Sequence, residues 1–102
     1  MFTVKETTNY AKWIDGLKDK TAQIRIVARI KRLAEGNPGD AKLLSGGIYE
    51  LRINYAKGYR VYYIHRGDQI IILLAGGDKT SQNKDIVTAR RLAKEYKEVE
   101  HG

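Results

Sequence analysis

Two arginines and a lysine in the middle of this chain have the types and spacing to serve one phosphate. Arg52 and Arg60 lie in neighbouring strand-like runs, and Lys79 follows a third such run directly after Gly76-Gly77-Asp78. A guanidinium offers paired donors that match phosphate oxygens, and converging cations offset the extra charge of a pentavalent phosphorus. Whether Arg52 and Arg60 share a sheet face depends on the turn between them. If Tyr55 and Gly58 pair across a two-residue loop, the arginines point to opposite faces; a bulge at Gly58 or a neighbour shifts the register by one and lets them share one. The competing reading places both on a solvated face, paired with Glu50 or Asp68.

Other chemistry is poorly supplied. There is no cysteine, so disulfides and thiolates are excluded, and neither a histidine-rich metal cluster nor a paired-carboxylate glycosidase arrangement is present. The glycines of the Gly76-Gly77-Asp78-Lys79 loop lack the spacing of a nucleotide-binding P-loop. No metal or cofactor is expected. Of the two histidines, His101 lies in the polar tail and His65 at the end of a strand beside Arg66, where it reads as a solvent-facing hairpin residue. Tyr49, Tyr55, Tyr59, Tyr62 and Tyr63 have faces on which bases can stack, but tyrosine is also a good strand former, and most are expected to pack the sheet.

The 102 residues read as one domain, 1–102, able to fold on its own core. Hydrophobic residues make up 42% and charged residues 30%, an ordinary balance for a soluble globular protein. Lysine and arginine number 19 against 12 acidic residues, a formal charge of +7 that favours a polyanionic partner through counterion release. With no apolar run of membrane-spanning length and no signal-peptide pattern, a cytoplasmic location is expected.

The elements that must position the cations read in order. Phe2 and Val4 mark a short first strand. Thr7 or Thr8 caps a helix with Tyr10, Trp13, Ile14 and Leu17 on one side. Asp19 or Thr21 caps a second, where Ala22, Ile26, Ile30 and Leu33 form a stripe flanked by Val27 and Ala34. Its other face is basic, with Arg25, Arg29, Lys31 and Arg32. Gly36-Asn37-Pro38-Gly39 ends it, and 40–47 reads as a linker. Three strands follow. The run from Tyr49 to Tyr55 and that from Tyr59 to His65 alternate, which predicts one buried and one wet face; the run from Ile70 to Ala75 is apolar throughout, which predicts the central strand, covered on both faces. A last helix starts at Ser81 or Asn83 and reaches about Glu98. The order is β-α-α-β-β-β-α: an α+β fold, a small antiparallel-rich sheet with a helix hairpin on one face and a C-terminal helix.

Across nearly its whole length this pattern resembles the RelE/ParE superfamily of toxins from toxin–antitoxin systems. The resemblance rests on Tyr49-Glu50-Leu51-Arg52-Ile53, on Gly58-Tyr59-Arg60-Val61-Tyr62-Tyr63, and on the Gly-Gly-Asp-Lys-x-x-Gln-x-x-Asp-Ile ending from Gly76 to Ile86, which is similar to the addiction-module killer branch close to HigB-type toxins. It implies a RelE-like fold and a messenger-RNA endonuclease that works in the ribosomal A site, with the RNA 2′-hydroxyl as nucleophile. The ParE branch, which poisons DNA gyrase, is the alternative; a third is a degenerate toxin kept for binding nucleic acid or an antitoxin. By motif position Arg52, Arg60 and Lys79 would hold and activate the phosphate. The expected partners are the ribosome, messenger RNA and a cognate antitoxin, often a helix-turn-helix protein. RNA would meet Arg25, Arg29 and Arg32 of the second helix, with Lys57 and Lys84. The sequence departs from the pattern in two places. Glu50 stands where RelE-type enzymes carry a second basic residue, and the tyrosine they use near the C-terminus has no counterpart between Gln82 and Asp85. His65, Asp78 and Gln82 remain as candidates for proton transfer.

Overall fold

A computed structural model of the chain describes the backbone of residues 1–101 and the side chains of residues 1–96. Strand β1 (Thr3–Glu6) leads into helix α1 (Thr8–Asp15). Thr7 caps that helix: its Oγ1 accepts from the Tyr10 amide at 3.0 Å and donates to the Leu74 carbonyl at 2.6 Å, tying the helix start to the sheet. Helix α2 (Lys20–Ala34) is capped by Asp19, whose Oδ1 accepts from the Ala22 amide at 3.1 Å. The stripe of Ala22, Ile26 and Leu33 is buried, while Val27 faces out.

The segment expected to be a linker holds a fifth strand. Ala41–Leu43 forms β2, antiparallel to β3 (Tyr49–Ile53), with Ala41 opposite Leu51 and Leu43 opposite Tyr49. Three residues are too few for alternation to show in a sequence; the strand exists because β3 offers it a partner. Strands β4 (Tyr59–Arg66) and β5 (Ile70–Gly77) complete the sheet, in the order β1-β5-β4-β3-β2, with β1 parallel to β5 and every other pair antiparallel. The middle strand is therefore β4, not the apolar β5. Strand β5 is nevertheless covered on both faces, as its composition predicted.

Two cores lie on the two faces. Helices α1 and α2 pack over Leu51, Ile53, Val61, Tyr63, Ile71 and Leu73. The last helix, α3 (Gln82–His101), brings Ala89 and Ala93 over Ile48, Tyr62, Ile64, Ile72 and Leu74. The expected wet face is thus largely roofed. Tyr62 and Ile64 are buried in β4, and so is Glu50 in β3. An extra residue in β5 makes this possible: Tyr62 pairs with Ala75 but Tyr63 with Leu73, so Leu74 is a bulge, and both Leu74 and Ala75 fall in the core under α3. The same slip decides which face each of the two glycines after it meets. A side chain on Gly76 would enter the Trp13 ring of α1, and one on Gly77 would enter the Asp85 carboxylate of α3.

Candidate active site

The β3–β4 hairpin closes through residues 54–58, with Ile53 and Tyr59 as the last pair. Positive φ at Ala56 and Gly58 turns the chain. This odd-numbered loop decides the question left open by the sequence: Arg52 and Arg60 are direct cross-strand partners, so both side chains leave the same face, the one roofed by α3. Glu50 and Tyr62 are the next partners on that face.

Glu50 is the hub of the arrangement. It is only 2% exposed, and its carboxylate accepts from Gln82 Nε2 at 2.8 Å, Arg52 Nε at 3.1 Å and the Tyr62 hydroxyl at 3.3 Å. Arg60 Nε stands 3.7 Å from the same carboxylate, close enough for attraction but not for a hydrogen bond. That buried Nε–H has no hydrogen-bond partner among the described residues, while Arg60 Nη1 donates to the Gly58 carbonyl at 2.6 Å. Burial pushes the Glu50 carboxyl up, but hydrogen bonds from Gln82 and Arg52 and the charges of Arg60 and Arg52 outweigh it and hold it below the usual carboxylate range. Burial, reinforced by Glu50, raises the Tyr62 phenol, which stays a donor. The carboxylate therefore fixes the approach of both arginines and leaves the rest of each guanidinium for another anion.

The turn from β5 into α3 completes the site. Gly77 is the cross-strand partner of Arg60, and the place of its missing side chain is taken by Asp85. Ser81 Oγ donates to Asp85 Oδ2 at 2.5 Å and accepts from the Asp78 amide at 3.2 Å. Burial raises the Asp85 carboxyl and Asp78 adds to the effect, although the Ser81 bond and Lys84 oppose it. Lys79 follows this turn; its amide donates to the Lys57 carbonyl at 3.3 Å and its side-chain stem lies against Gly58, beside the Arg60 guanidinium. Arg52, Arg60, Lys57 and Lys79 thus gather at one end of the sheet. Such a cluster can grip a phosphodiester.

The remaining candidates are spread more widely. His65 is on the other face of the sheet, packed edge-on against Phe2, Tyr49 and Tyr63, and is not brought to the arginines. Asp78 caps the turn before α3, its Oδ1 accepting from the Thr80 amide at 2.9 Å and from the Thr80 hydroxyl at 2.6 Å. Those Thr80 bonds, with help from Ser81 and Lys57, hold its carboxyl low. Gln82 does reach the site, as the donor that pins Glu50. On α2, Arg25 lies over the Tyr55 ring at 4.6 Å, Arg32 is exposed, and Arg29 turns inward to the carbonyls of Arg52 at 2.5 Å and Pro38 at 2.8 Å. Lys57 and Lys84 are exposed. The side chain of His101 lies outside the described residues. Sequence reasoning did offer Glu50 as a partner of the two arginines, but on a solvated face; it took Tyr62 as sheet packing and missed Ser81 and Asp85 as site residues. The signal was available in the two-residue steps Glu50–Arg52 and Arg60–Tyr62, and in the Asp85 of the Gly-Gly-Asp-Lys ending.

Residues 12–97 match the model of the family described as phage-derived protein Gp49-like (DUF891). An uncharacterised protein of Haemophilus influenzae is 48% identical over 92 residues, which cover 90% of this chain and 93% of that one. Two solved structures are similar in fold at 16% identity. One is a chain of the intact E. coli RelBE toxin–antitoxin complex, with a TM-score of 0.65 over 76% of this chain and 96% of that one. The other is a mutant of E. coli toxin RelE in the free state, with a TM-score of 0.66 over 84% of this chain and 94% of that one.

Proposed function

Since the chain belongs to the phage-derived Gp49-like family and carries the RelE fold, we propose that it is the toxin of a type II toxin–antitoxin pair, acting as a ribosome-dependent messenger-RNA endonuclease. The observation that carries this reading is the cross-strand pairing of Arg52 with Arg60 on one face, backed by Glu50 and flanked by Lys79. The two guanidinium groups and Lys79 hold the scissile phosphate. The RNA 2′-oxygen then bonds to phosphorus and the 5′-oxygen leaves, one proton being given up by the first and one taken up by the second. The products are a 2′,3′-cyclic phosphate and a 5′-hydroxyl. The cations stabilise the charge that builds on the phosphoryl oxygens.

A formal charge of +7 suits a ribosomal RNA surface, with Arg25, Arg32 and Lys84 as contacts beyond the cation cluster and Lys57 at its edge, and the ribosome supplies much of the substrate alignment. The partner that silences the protein is a cognate antitoxin, in keeping with the toxin–antitoxin complex named for its structural neighbour. It acts in the cytoplasm, with the ribosomes; no helix among the described residues is long and apolar enough to cross a membrane.

The test is primer extension on messenger RNA from cells briefly expressing the protein, beside the Arg60→Ala form. New 5′ ends within translated regions, lost with Arg60→Ala in a folded protein, are expected. Growth arrest with intact messages would overturn the nuclease reading in favour of gyrase, and healthy cells with intact messages would leave only a binding role.

A further inference from the structure

We infer that Asp85 is the proton donor to the departing 5′-oxygen, a role that rests on the endonuclease reading above. The geometry comes first. Asp85 Oδ2 occupies the point where a Cβ on Gly77 would be, so the carboxyl fills the side-chain position directly across the strand pair from Arg60. Cross-strand partners have Cβ positions about 5 Å apart, so the carboxyl and the base of the Arg60 side chain stand side by side on one face. A phosphate seated on Arg60 then presents one of its ester oxygens to Asp85. Only glycine at position 77 leaves room for this.

The surroundings suit a donor. Glu50 cannot fill this role, because both its oxygens are taken by Arg52, Tyr62 and Gln82 and the carboxylate is held ionised. Asp85 is half-buried, receives one hydrogen bond from Ser81, and is raised by burial and by Asp78. Two carboxyl groups on one face, one held ionised and one pushed toward its neutral form, divide the work: the first orients the arginines and the second carries a proton. In the step itself the Asp85 O–H bond breaks as its proton passes to the 5′-oxygen, the P–O5′ bond breaks, and Asp85 is left as a carboxylate that regains a proton from water. The candidates read from the sequence do not reach this position. His65 is on the far face, Asp78 is held by Thr80, and the Gln82 amide, which donates a hydrogen bond to Glu50, is far too weak an acid to transfer a proton.

The test uses the full protein, programmed ribosomes and a messenger RNA carrying a single bridging 5′-sulfur at the cleaved linkage, beside the all-oxygen RNA. A thiolate leaves without protonation. Asp85→Asn, which keeps size and the bond to Ser81, is expected to slow cleavage of the oxygen substrate about 100-fold or more, in the range of general acid catalysis, and to cut the sulfur substrate at close to the parent rate. Ser81→Ala, which leaves the carboxyl in place, is expected to cost far less on either substrate. Equal loss by Asp85→Asn on both substrates would make Asp85 a structural residue and overturn the assignment, as would no loss on either. A parent protein that cuts neither RNA would instead overturn the endonuclease reading itself.

Discussion

Replacing Glu50 tests whether one buried carboxylate organises the cation cluster. Glu50→Ala strips the Tyr62 hydroxyl of its one acceptor among the described residues, on a tyrosine that is fully buried, and removes the counter-charge of Arg60, whose side chain is 12% exposed. Arg52, at 32%, can turn to water and to Asp40, so its share is small. Breaking a buried pair of this kind costs about 3–5 kcal/mol, and we expect about 4 for Glu50→Ala. Glu50→Gln keeps an acceptor for Tyr62 and loses only the charge, at about 1–1.5 kcal/mol. With a urea slope of about 1.5 kcal/mol per molar, the midpoints fall by roughly 2.5 M and 1 M respectively. The pH dependence has a definite sign. Because the folded carboxyl titrates below its unfolded value, its stabilisation is complete above the unfolded pKa of about 4.3 and disappears as pH falls through the lower folded value. The gap between parent and Glu50→Gln in urea melts should therefore be constant near neutrality and close below pH 4. A Glu50→Gln protein as stable as the parent at pH 7, or a gap that persists undiminished at pH 3, would refute the reasoning.

Two further substitutions separate scaffold from site. Arg29→Ala removes the fork that holds the carbonyls of Arg52 and Pro38; we expect a loss of about 2 kcal/mol in thermal melts, and an unchanged melt with weakened RNA binding would instead put Arg29 on the RNA surface. Thr7→Ala removes both the α1 cap and the donor to the Leu74 carbonyl; about 2 kcal/mol should go, read as a melting temperature lower by roughly 8–15 °C.

What the sequence disclosed follows from the physics of each element. Helices α1, α2 and α3 were legible because their apolar residues repeat over two or more turns and, in the first two, because threonine or aspartate marks the start. The β-rich runs were legible by composition. Strand β2 was not, since three residues carry no period. The wet face assigned to Tyr49–Tyr55 failed at Glu50, because a carboxylate on the polar side of a strand looks the same whether or not a helix from thirty residues later lies over it. The sharing of a face by Arg52 and Arg60 was undecidable for a related reason: parity turns on one residue, and a two-residue turn between Tyr55 and Gly58 looks the same in composition with a bulge beside it as without one. Asp85 stood in the quoted ending without a role, because its place beside Arg60 runs through a glycine, which contributes space and no functional group.

The assembly order of the cluster has a consequence for a growing chain. The hairpin bearing Glu50, Arg52 and Arg60 leaves the ribosome first, but Gln82 and Asp85 belong to the last helix, and β1 cannot pair until β5 has been made. A nascent polypeptide halted anywhere before α3 therefore carries two arginines with Glu50 uncovered and no Asp85 beside them. Synthesis itself thus sets an order on the cluster: the arginine pair exists as soon as the hairpin closes, but Glu50 is capped only once the chain 32 residues beyond it has been made.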